Sequence, residues 1–433
     1  MNIDEASVLK FHEGGKVALR MPHAVKTVED LCLAYTPGVG KAVLRLADHP
    51  EEAFRYTAKG KTVAVVSDGT AILGLGDRGP TAAIPVMEGK CVLFKSFAGV
   101  DAWPVVLDHC RVGGASTGKT DPERVMDAVR AIAPMYGGIN LEDIAGPACF
   151  EIEDKLAEEL DIPVFHDDQW GTAVIVLAAV RNYAIYADKP FEGLRVVVNG
   201  AGAAGTRIRQ MLLQGGVAQV ISCDSKGVVY KGRPGNQPRH ERIAEETSAR
   251  TLEDALKGAD VFVGVSIADC VKPEWLLTMA KNPAVFALAN PNPEIRPEQV
   301  RDVMGDRPYV MATGRSDYPN QINNVLCFPF LFRGALDVCA RKITPAMKLA
   351  AADALAAAVR APASAHTRSL YAGETLEFGR DYIIPKPFDD MLLPTVATAV
   401  ALAAMKDGVA RAPLADVEAY RAALCKEAGI LRS

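Results

Sequence analysis

The chain has 433 residues, of which 49% are hydrophobic and 23% charged, and its 48 Lys+Arg against 53 Asp+Glu leave a formal charge of −5. This is a globular composition that excludes a disordered or fibrous protein, and the length suggests two or three domains with substantial cores. The absence of a basic excess argues against a nucleic-acid partner. The opening MNIDEASVLK has no basic segment followed by an apolar core, so no signal peptide is expected. The longest weakly charged apolar stretch, 391–405, contains Pro394 and is shorter than the ~20 residues a membrane span needs. Nine cysteines are scattered without a CxxC pair, which fits reduced thiols and a soluble cytoplasmic protein.

In chain order, residues 1–60 read as helices interrupted at Tyr35-Thr36-Pro37-Gly38. The β-branched run 62–67 (TVAVVS), then 91–94 and 104–107, read as strands with helical spacing between them and after Asp121. A helix is expected over 147–160 and a short strand over 162–165. HDDQWGTA then opens a long apolar helix to about Tyr186. Strands are predicted over 194–198 (LRVVV), 219–223, 261–265, 285–288 and 309–312. Strand–helix alternation of this kind means parallel sheets: an N-terminal α/β domain over 1–165 and a doubly wound, Rossmann-type dinucleotide-binding domain over 166–433. The helices from about 389 onward are expected to pack back on the first domain.

Gly200-Ala201-Gly202-Ala203-Ala204-Gly205 follows the strongest strand and opens a helix, and the next strand ends at Asp224. Glycines there allow a tight turn and close approach of a pyrophosphate to amide donors at the helix start. Gly113–Thr120 also satisfies the P-loop pattern GxxxxGK[ST]. Asp121-Pro122 caps a helix that begins too late for that motif, so a flexible insertion is the better reading. Glu142, Asp143 and Asp168, from GGINLEDI and FHDDQWGTA, could offer three carboxylates to Mg²⁺ or Mn²⁺. Helix capping is the competing explanation for each acidic pair. His166 reads as structural.

Tyr35 stands on a tight turn. Ser67-Asp68-Gly69-Thr70 follows a strand and could approach a small acid. Lys90 precedes the expected strand 91–94 and Lys95 ends it; either, desolvated in a pocket, could serve as a general base. Asn290, in NPNP after a strand, and the pair Asn323-Asn324 could bind a substrate or the cofactor's carboxamide, or simply satisfy turn backbones.

The motifs AYTPGVG, SDGTAILGLGD, IPVMEGK, INLEDI, FHDDQWGTA, NGAGAAG, CDSKG, ANPNPE and QINN occur in the order and spacing of the malic enzymes. Over about 8–400 the chain resembles the short bacterial form. The resemblance implies that malate is oxidised by NAD(P)⁺ and decarboxylated to pyruvate. It implies Glu142, Asp143 and Asp168 as metal ligands, Lys90 as general base, Tyr35 as general acid and Asp167 as a supporting carboxylate. Asn290 and Asn324, with Asn323 as competitor, would bind substrate. Malolactic conversion of malate to lactate would use the same groups, and a homodimer or larger assembly is common in the family.

Two departures stand out. An arginine that grips substrate in larger members is Ala71 here, leaving Ser67, Thr70 or backbone amides as candidate clamps. The segment His109–Thr120 is longer than usual. At the cofactor, Asp224 would accept ribose hydroxyls and repel a 2′-phosphate, which leans to NAD. Lys226, Lys231 and Arg233 argue for NADP.

Overall fold

The computed structural model describes residues 4–21, 23–115 and 117–432. Two parallel sheets organise it. The first contains β1 (Thr62–Ser67), β2 (Asp101–Val106), β3 (Gly138–Leu141) and β4 (Val164–His166), in the order β2-β1-β3-β4, all parallel. The second contains β5 (Arg195–Asn199), β6 (Gln219–Asp224), β7 (Gly227–Val228), β8 (Val261–Gly264), β9 (Ala284–Ala287) and β10 (Val310–Thr313). Their order is β10-β9-β8-β5-β6-β7, with only β7 antiparallel. β5 lies between β6 and β8, so strand order reverses there, and open parallel sheets bind ligands at such a point.

Between the sheets runs the Asp167–Tyr186 helix, buried nearly all round. Its sequence is apolar on every face, as a helix with sheet on one side and helices on the other requires. It packs on the Ala203–Gln214 and Pro345–Arg360 helices. One core cluster holds residues of both sheets, among them Val63, Val65, Val196 and Val198.

The run 91–94, expected as a strand, lies inside the Pro80–Ala98 helix. The buried positions explain the difference: Met87, Lys90, Cys91, Phe94 and Phe97 recur at three- and four-residue spacing, a helical stripe whose apolar stretch imitates a strand. The strand after it is Asp101–Val106. Phe94 packs edge-on against Phe328 and Phe332, at 4.7 and 5.4 Å between ring centres, and Phe332 meets Phe165 of β4 at 5.9 Å. These rings seat the Lys90 helix against the end of β4.

The Leu392–Lys406 helix packs on the Phe328–Asp337 and Pro345–Arg360 helices, and Val417–Arg432 packs on Leu392–Lys406 and Pro80–Ala98. Glu427 accepts two hydrogen bonds of 2.8 Å from Arg333, whose guanidinium also reaches the Ala98 carbonyl. No helix among the described residues is long and apolar enough to cross a membrane.

The Gly113–Thr120 segment starts no helix. Arg111 and Thr120 pair as an antiparallel bridge, and the next helix begins at Pro122 behind its Asp121 cap. The phosphate-cradling geometry of a P-loop is therefore missing among the described residues, and Ser116 of that motif lies outside them.

Candidate active site

Four chain segments converge at the carboxyl ends of β3 and β4. Lys90 projects from mid-helix into the protein and is only 7% exposed. Its Nζ lies 2.7 Å from Asp167 Oδ2 and 2.8 Å from Glu142 Oε1, and 4.4 Å from the centre of the Phe328 ring. Lys95, one turn later, faces solvent and pairs with Asp101 at 2.6 Å. The structure thus brings Lys90, and not Lys95, to the acidic cluster. Five residues apart on a helix, the two lysines point to different faces.

Glu142, Asp143 and Asp168 each offer an oxygen within 4.8 Å of the others. Asp143 takes a left-handed backbone (φ 52°), which turns the chain after β3. That turn is pinned by hydrogen bonds from Ala71 N to Asp143 O (3.0 Å) and from Asp143 N to Asp168 Oδ2 (2.8 Å). Asp168 therefore ties two loops together rather than capping its own helix. Asn140 donates to Glu142 Oε2 at 2.9 Å.

The cluster is electrostatically incomplete. Glu142, Asp143, Asp167 and Asp168 are four carboxylates facing one ammonium. Burial, reinforced by the Asp168 charge, pushes Asp143 up to about 7. Burial also lifts Asp167 to about 6 against the pull of Lys90, and raises Glu142 well above its usual range. Burial alone would lower Lys90, but Asp167, Glu142 and Asp168 outweigh it and hold the amine charged. Asp143 Oδ2 and Asp167 Oδ1 are buried without a hydrogen-bond partner. Oxygen ligands, surplus negative charge and an orphaned oxygen suit a hard divalent cation, which Glu142, Asp143 and Asp168 would hold.

His166 is fully buried, with both ring nitrogens unpartnered and Nδ1 3.8 Å from Asp168 Oδ2. Burial lowers it to about 4, so it stays neutral. Gly171 is a site residue that the sequence reading passed over. A Cβ there would lie 2.0 Å from Asp167 Oδ1 and 3.0 Å from Asn324 Cβ. The glycine of HDDQWG lets Asp167 fold against its own helix, and it places Asn324 beside it. Asn323 spends its amide oxygen on Val325 N at 3.0 Å, so the geometry favours Asn324 as the free amide of the pair.

Ser67 and Thr70 are not free clamps. Ser67 Oγ accepts from Gly69 N at 3.1 Å, and Thr70 Oγ1 donates to Asp68 Oδ1 at 2.6 Å and accepts from Ala145 N at 2.8 Å. Tyr35 is 69% exposed, and among the described residues no hydrogen bond joins its hydroxyl to any of these groups.

The glycine loop lies at the switch point of the second sheet. A Cβ on Gly205 would sit 1.7 Å from Gly200 O, and one on Gly200 (φ 126°) 2.5 Å from Val265 O, so both must be glycine for packing. Gly202 faces open space, where a pyrophosphate could approach the helix N-terminus. Ala201, Ala203 and Ala204 pack against three different apolar clusters and fix the loop's course. Asn290 is exposed, on a loop anchored by buried Glu294, whose carboxylate accepts from Ser266 N (2.7 Å) and Ala289 N (3.1 Å). Asp224, at the end of β6, is already neutralised: Arg233 grips both its oxygens, at 2.9 and 2.5 Å, and Lys226 N donates to it at 2.8 Å.

Comparison with known proteins places these features in one family. Residues 15–157 match the malic enzyme N-terminal domain and 170–372 the malic enzyme NAD binding domain. The chain is 46% identical to the bifunctional malic/malolactic enzyme of Bacillus subtilis over 94% of both chains. It is 47% identical to the NADP-dependent malic enzyme of Escherichia coli over 96% of this chain but 54% of that protein. The chain thus spans about half the length of that relative and nearly all of the Bacillus one. A malic enzyme from Pyrococcus horikoshii superposes with a TM-score of 0.85 at 39% identity, covering 99% of this chain and 95% of that one.

The raised Asp143 sets a pH dependence for cation binding. Below about 7 the cluster retains a proton that a cation must displace. Mn²⁺ affinity, measured by titration calorimetry, is expected to climb with pH through about 7, up to tenfold per pH unit for each ligand proton displaced. A flat profile across that range would refute the assignment.

Proposed function

The chain belongs to the malic enzyme family, and from that premise and the geometry above we propose that it converts (S)-malate and NAD(P)⁺ to pyruvate, CO₂ and NAD(P)H. The observation that carries the proposal is the buried Lys90, held at 2.7 Å by Asp167 and 2.8 Å by Glu142 beside the carboxylate trio. A divalent cation on Glu142, Asp143 and Asp168 would polarise the malate C2 oxygen and spread the charge that builds as CO₂ leaves. A dinucleotide on Gly200–Gly205 would accept the electron pair from C2. With Glu142 committed to a ligand role, Lys90 keeps Asp167 as its close anionic partner, and its pKa falls toward that of a base. The neutral Nζ then takes the C2 hydroxyl proton. Asp167 orients the amine and stabilises the ammonium that results. Asn324 and Asn290 bind substrate or carboxamide. We place the enzyme in the cytoplasm, where its nine free thiols stay reduced.

Nicotinamide absorbance with malate and Mn²⁺, combined with pyruvate and lactate analysis, tests the reaction. Pyruvate is the expected product; lactate without net cofactor reduction would establish malolactic turnover instead. Lys90→Ala is expected to lose about 10²–10⁴-fold in turnover while Lys95→Ala stays near wild type. The reverse ranking would move the base.

We infer that a second copy supplies Tyr35 as the general acid. The Val28–Ala34 and Val39–Asp48 helices that flank it bury no residue, and Leu31, Leu33, Val43 and Leu44 are exposed. An apolar face of this kind calls for a cover. A homodimer would bury it and carry Tyr35 into the neighbouring protomer's site, where its hydroxyl protonates C3 of enolpyruvate. Refolding inactive Tyr35→Phe together with inactive Lys90→Ala should restore about a quarter of wild-type turnover, because statistical heterodimers then hold one complete site. No recovery would place Tyr35 in its own protomer's site or outside catalysis.

For the cofactor, the Asp224–Arg233 pair removes the repulsion that had favoured NAD. Lys226, Arg233 and His240 are within electrostatic reach of one another around Asp224. We infer a preference for NADP, whose 2′-phosphate meets net positive charge there. A kcat/KM ratio of at least tenfold over NAD is expected, equivalent to ~1.4 kcal/mol, and Lys226→Ala should reduce it. A tenfold preference for NAD would overturn the inference.

A further inference from the structure

The segment between β2 and the Pro122–Ile132 helix does more than connect them. It closes on itself through the Arg111–Thr120 bridge and the Val112 N to Lys119 O hydrogen bond (3.0 Å). Two side chains from its base then turn inward under the loop after β1. Arg111, only 1% exposed, sends Nη1 to Asp68 Oδ2 at 2.8 Å and Nη2 to the Asp68 carbonyl at 2.7 Å. Thr120 Oγ1 donates to Asp68 Oδ2 at 2.6 Å. From the tip, Gly118 N donates to Asp77 Oδ2 at 3.0 Å, so the segment grips both ends of the 68–77 loop.

Asp68 is fully buried and acts as a hub. Its second oxygen, Oδ1, accepts from Thr70 N at 3.1 Å and Thr70 Oγ1 at 2.6 Å. Thr70 Oγ1 in turn accepts from Ala145 N. The next residue, Ala71, donates its amide to Asp143 O, and Leu73 N approaches Asp143 Oδ1 at 3.4 Å. Hydrogen bonds therefore run from Arg111 through Asp68 and Thr70 to Ala145 N, two residues beyond Asp143, and the same 68–73 loop bonds Asp143 O through the Ala71 amide, so the loop brackets the Asp143 turn. Asp143 sits in a left-handed conformation, which aspartate tolerates better than most residues and which these bonds hold in place here.

We propose that Arg111 is a positioning residue for Asp143: the 109–120 segment inserts a buried cation that holds the 68–73 loop, and through it the Asp143 turn, in the geometry that receives the metal. Arg111 is sealed beneath the loop and touches no substrate. Without it, Asp68 would keep its Thr70 and Thr120 donors but be a buried carboxylate with no counter-charge, and the loop would rearrange to hydrate it. Ligand sets are sensitive to such support, with losses of 10–100-fold in metal affinity when a supporting group is removed. The proposal rests on the metal reading of Glu142, Asp143 and Asp168.

The test is calorimetric titration of Mn²⁺ into the full-length Arg111→Met, Arg111→Lys and Thr120→Val variants, with 2′,5′-ADP binding as the control for the distant dinucleotide site. Arg111→Met is expected to weaken Mn²⁺ binding about 10–100-fold and to raise KM for malate, with 2′,5′-ADP affinity unchanged. Arg111→Lys, which restores the charge but not the fork, should recover part of the loss, and Thr120→Val should show a smaller one. Folded variants with wild-type Mn²⁺ affinity would overturn the proposal and leave Arg111 a stability residue. If Arg111→Met does not fold, Arg111→Lys and Thr120→Val decide by the same reading. A wild-type protein that binds no Mn²⁺ overturns the metal reading along with this one.

Discussion

The buried contact of Lys90 with Asp167 and Glu142 is the constraint on which the rest of the arrangement depends. Three charged side chains, each no more than 7% exposed, meet within 2.8 Å in a region lined by phenylalanine rings. Charges so placed are stable only with their partners in position. That requirement dictates where the Pro80–Ala98 helix docks, where β3 ends and where the Asp167–Tyr186 helix begins. The aromatic contacts of Phe94, Phe165, Phe328 and Phe332 supply the rigid seat, and Gly171 supplies the space for Asp167 to turn inward.

The same helix that starts at Asp167 continues as the buried partition between the two sheets. Chemistry and architecture are thereby joined: the first turn carries the carboxylates, and the next four turns bury apolar side chains. Below the first turn, Glu153 accepts hydrogen bonds from His166 N and Trp170 Nε1, both at 3.0 Å, while Arg207 of the helix after the glycine loop reaches Gln169 Oε1 at 3.0 Å. Elements that would hold the dinucleotide are thus tied by side-chain hydrogen bonds to the carboxylate turn. A reaction that moves electrons between two bound molecules needs such fixed relative placement.

Excess negative charge is the second organising feature. Four carboxylates around one ammonium leave the cluster short of positive charge, and burial then pushes protons onto Asp143 and Asp167. In the second sheet the opposite solution operates: Asp224 at the end of β6 is compensated by Arg233. One acidic site has surplus negative charge that a cation could balance, and the other is balanced by its own arginine. Residue type alone does not separate them; partner count does.

Much was determined by local sequence. β-branched runs separated by amphipathic stretches specify parallel strands and their covering helices, and Gly200–Gly205 specifies a strand–turn–helix because only glycine fits the close approaches to Gly200 O and Val265 O. Ordered motifs with INLEDI and HDDQWGTA carried the family resemblance, and only through it the grouping of Glu142, Asp143 and Asp168; in the fold, β3–β4 pairing brings those strand ends side by side. Tertiary structure decided what depends on direction and long-range contact. It made 91–94 a helix, because a buried stripe at three- and four-residue spacing contains the same apolar residues as a strand. It chose Lys90 over Lys95 by helix face. It spent Ser67, Thr70 and Asn323 on local hydrogen bonds, paired Asp224 with Arg233, and set Tyr35 on an exposed turn. It also carried Arg111 across 43 positions to Asp68. Each of these outcomes turns on which group lies opposite in space, and a linear sequence read by spacing does not carry that information.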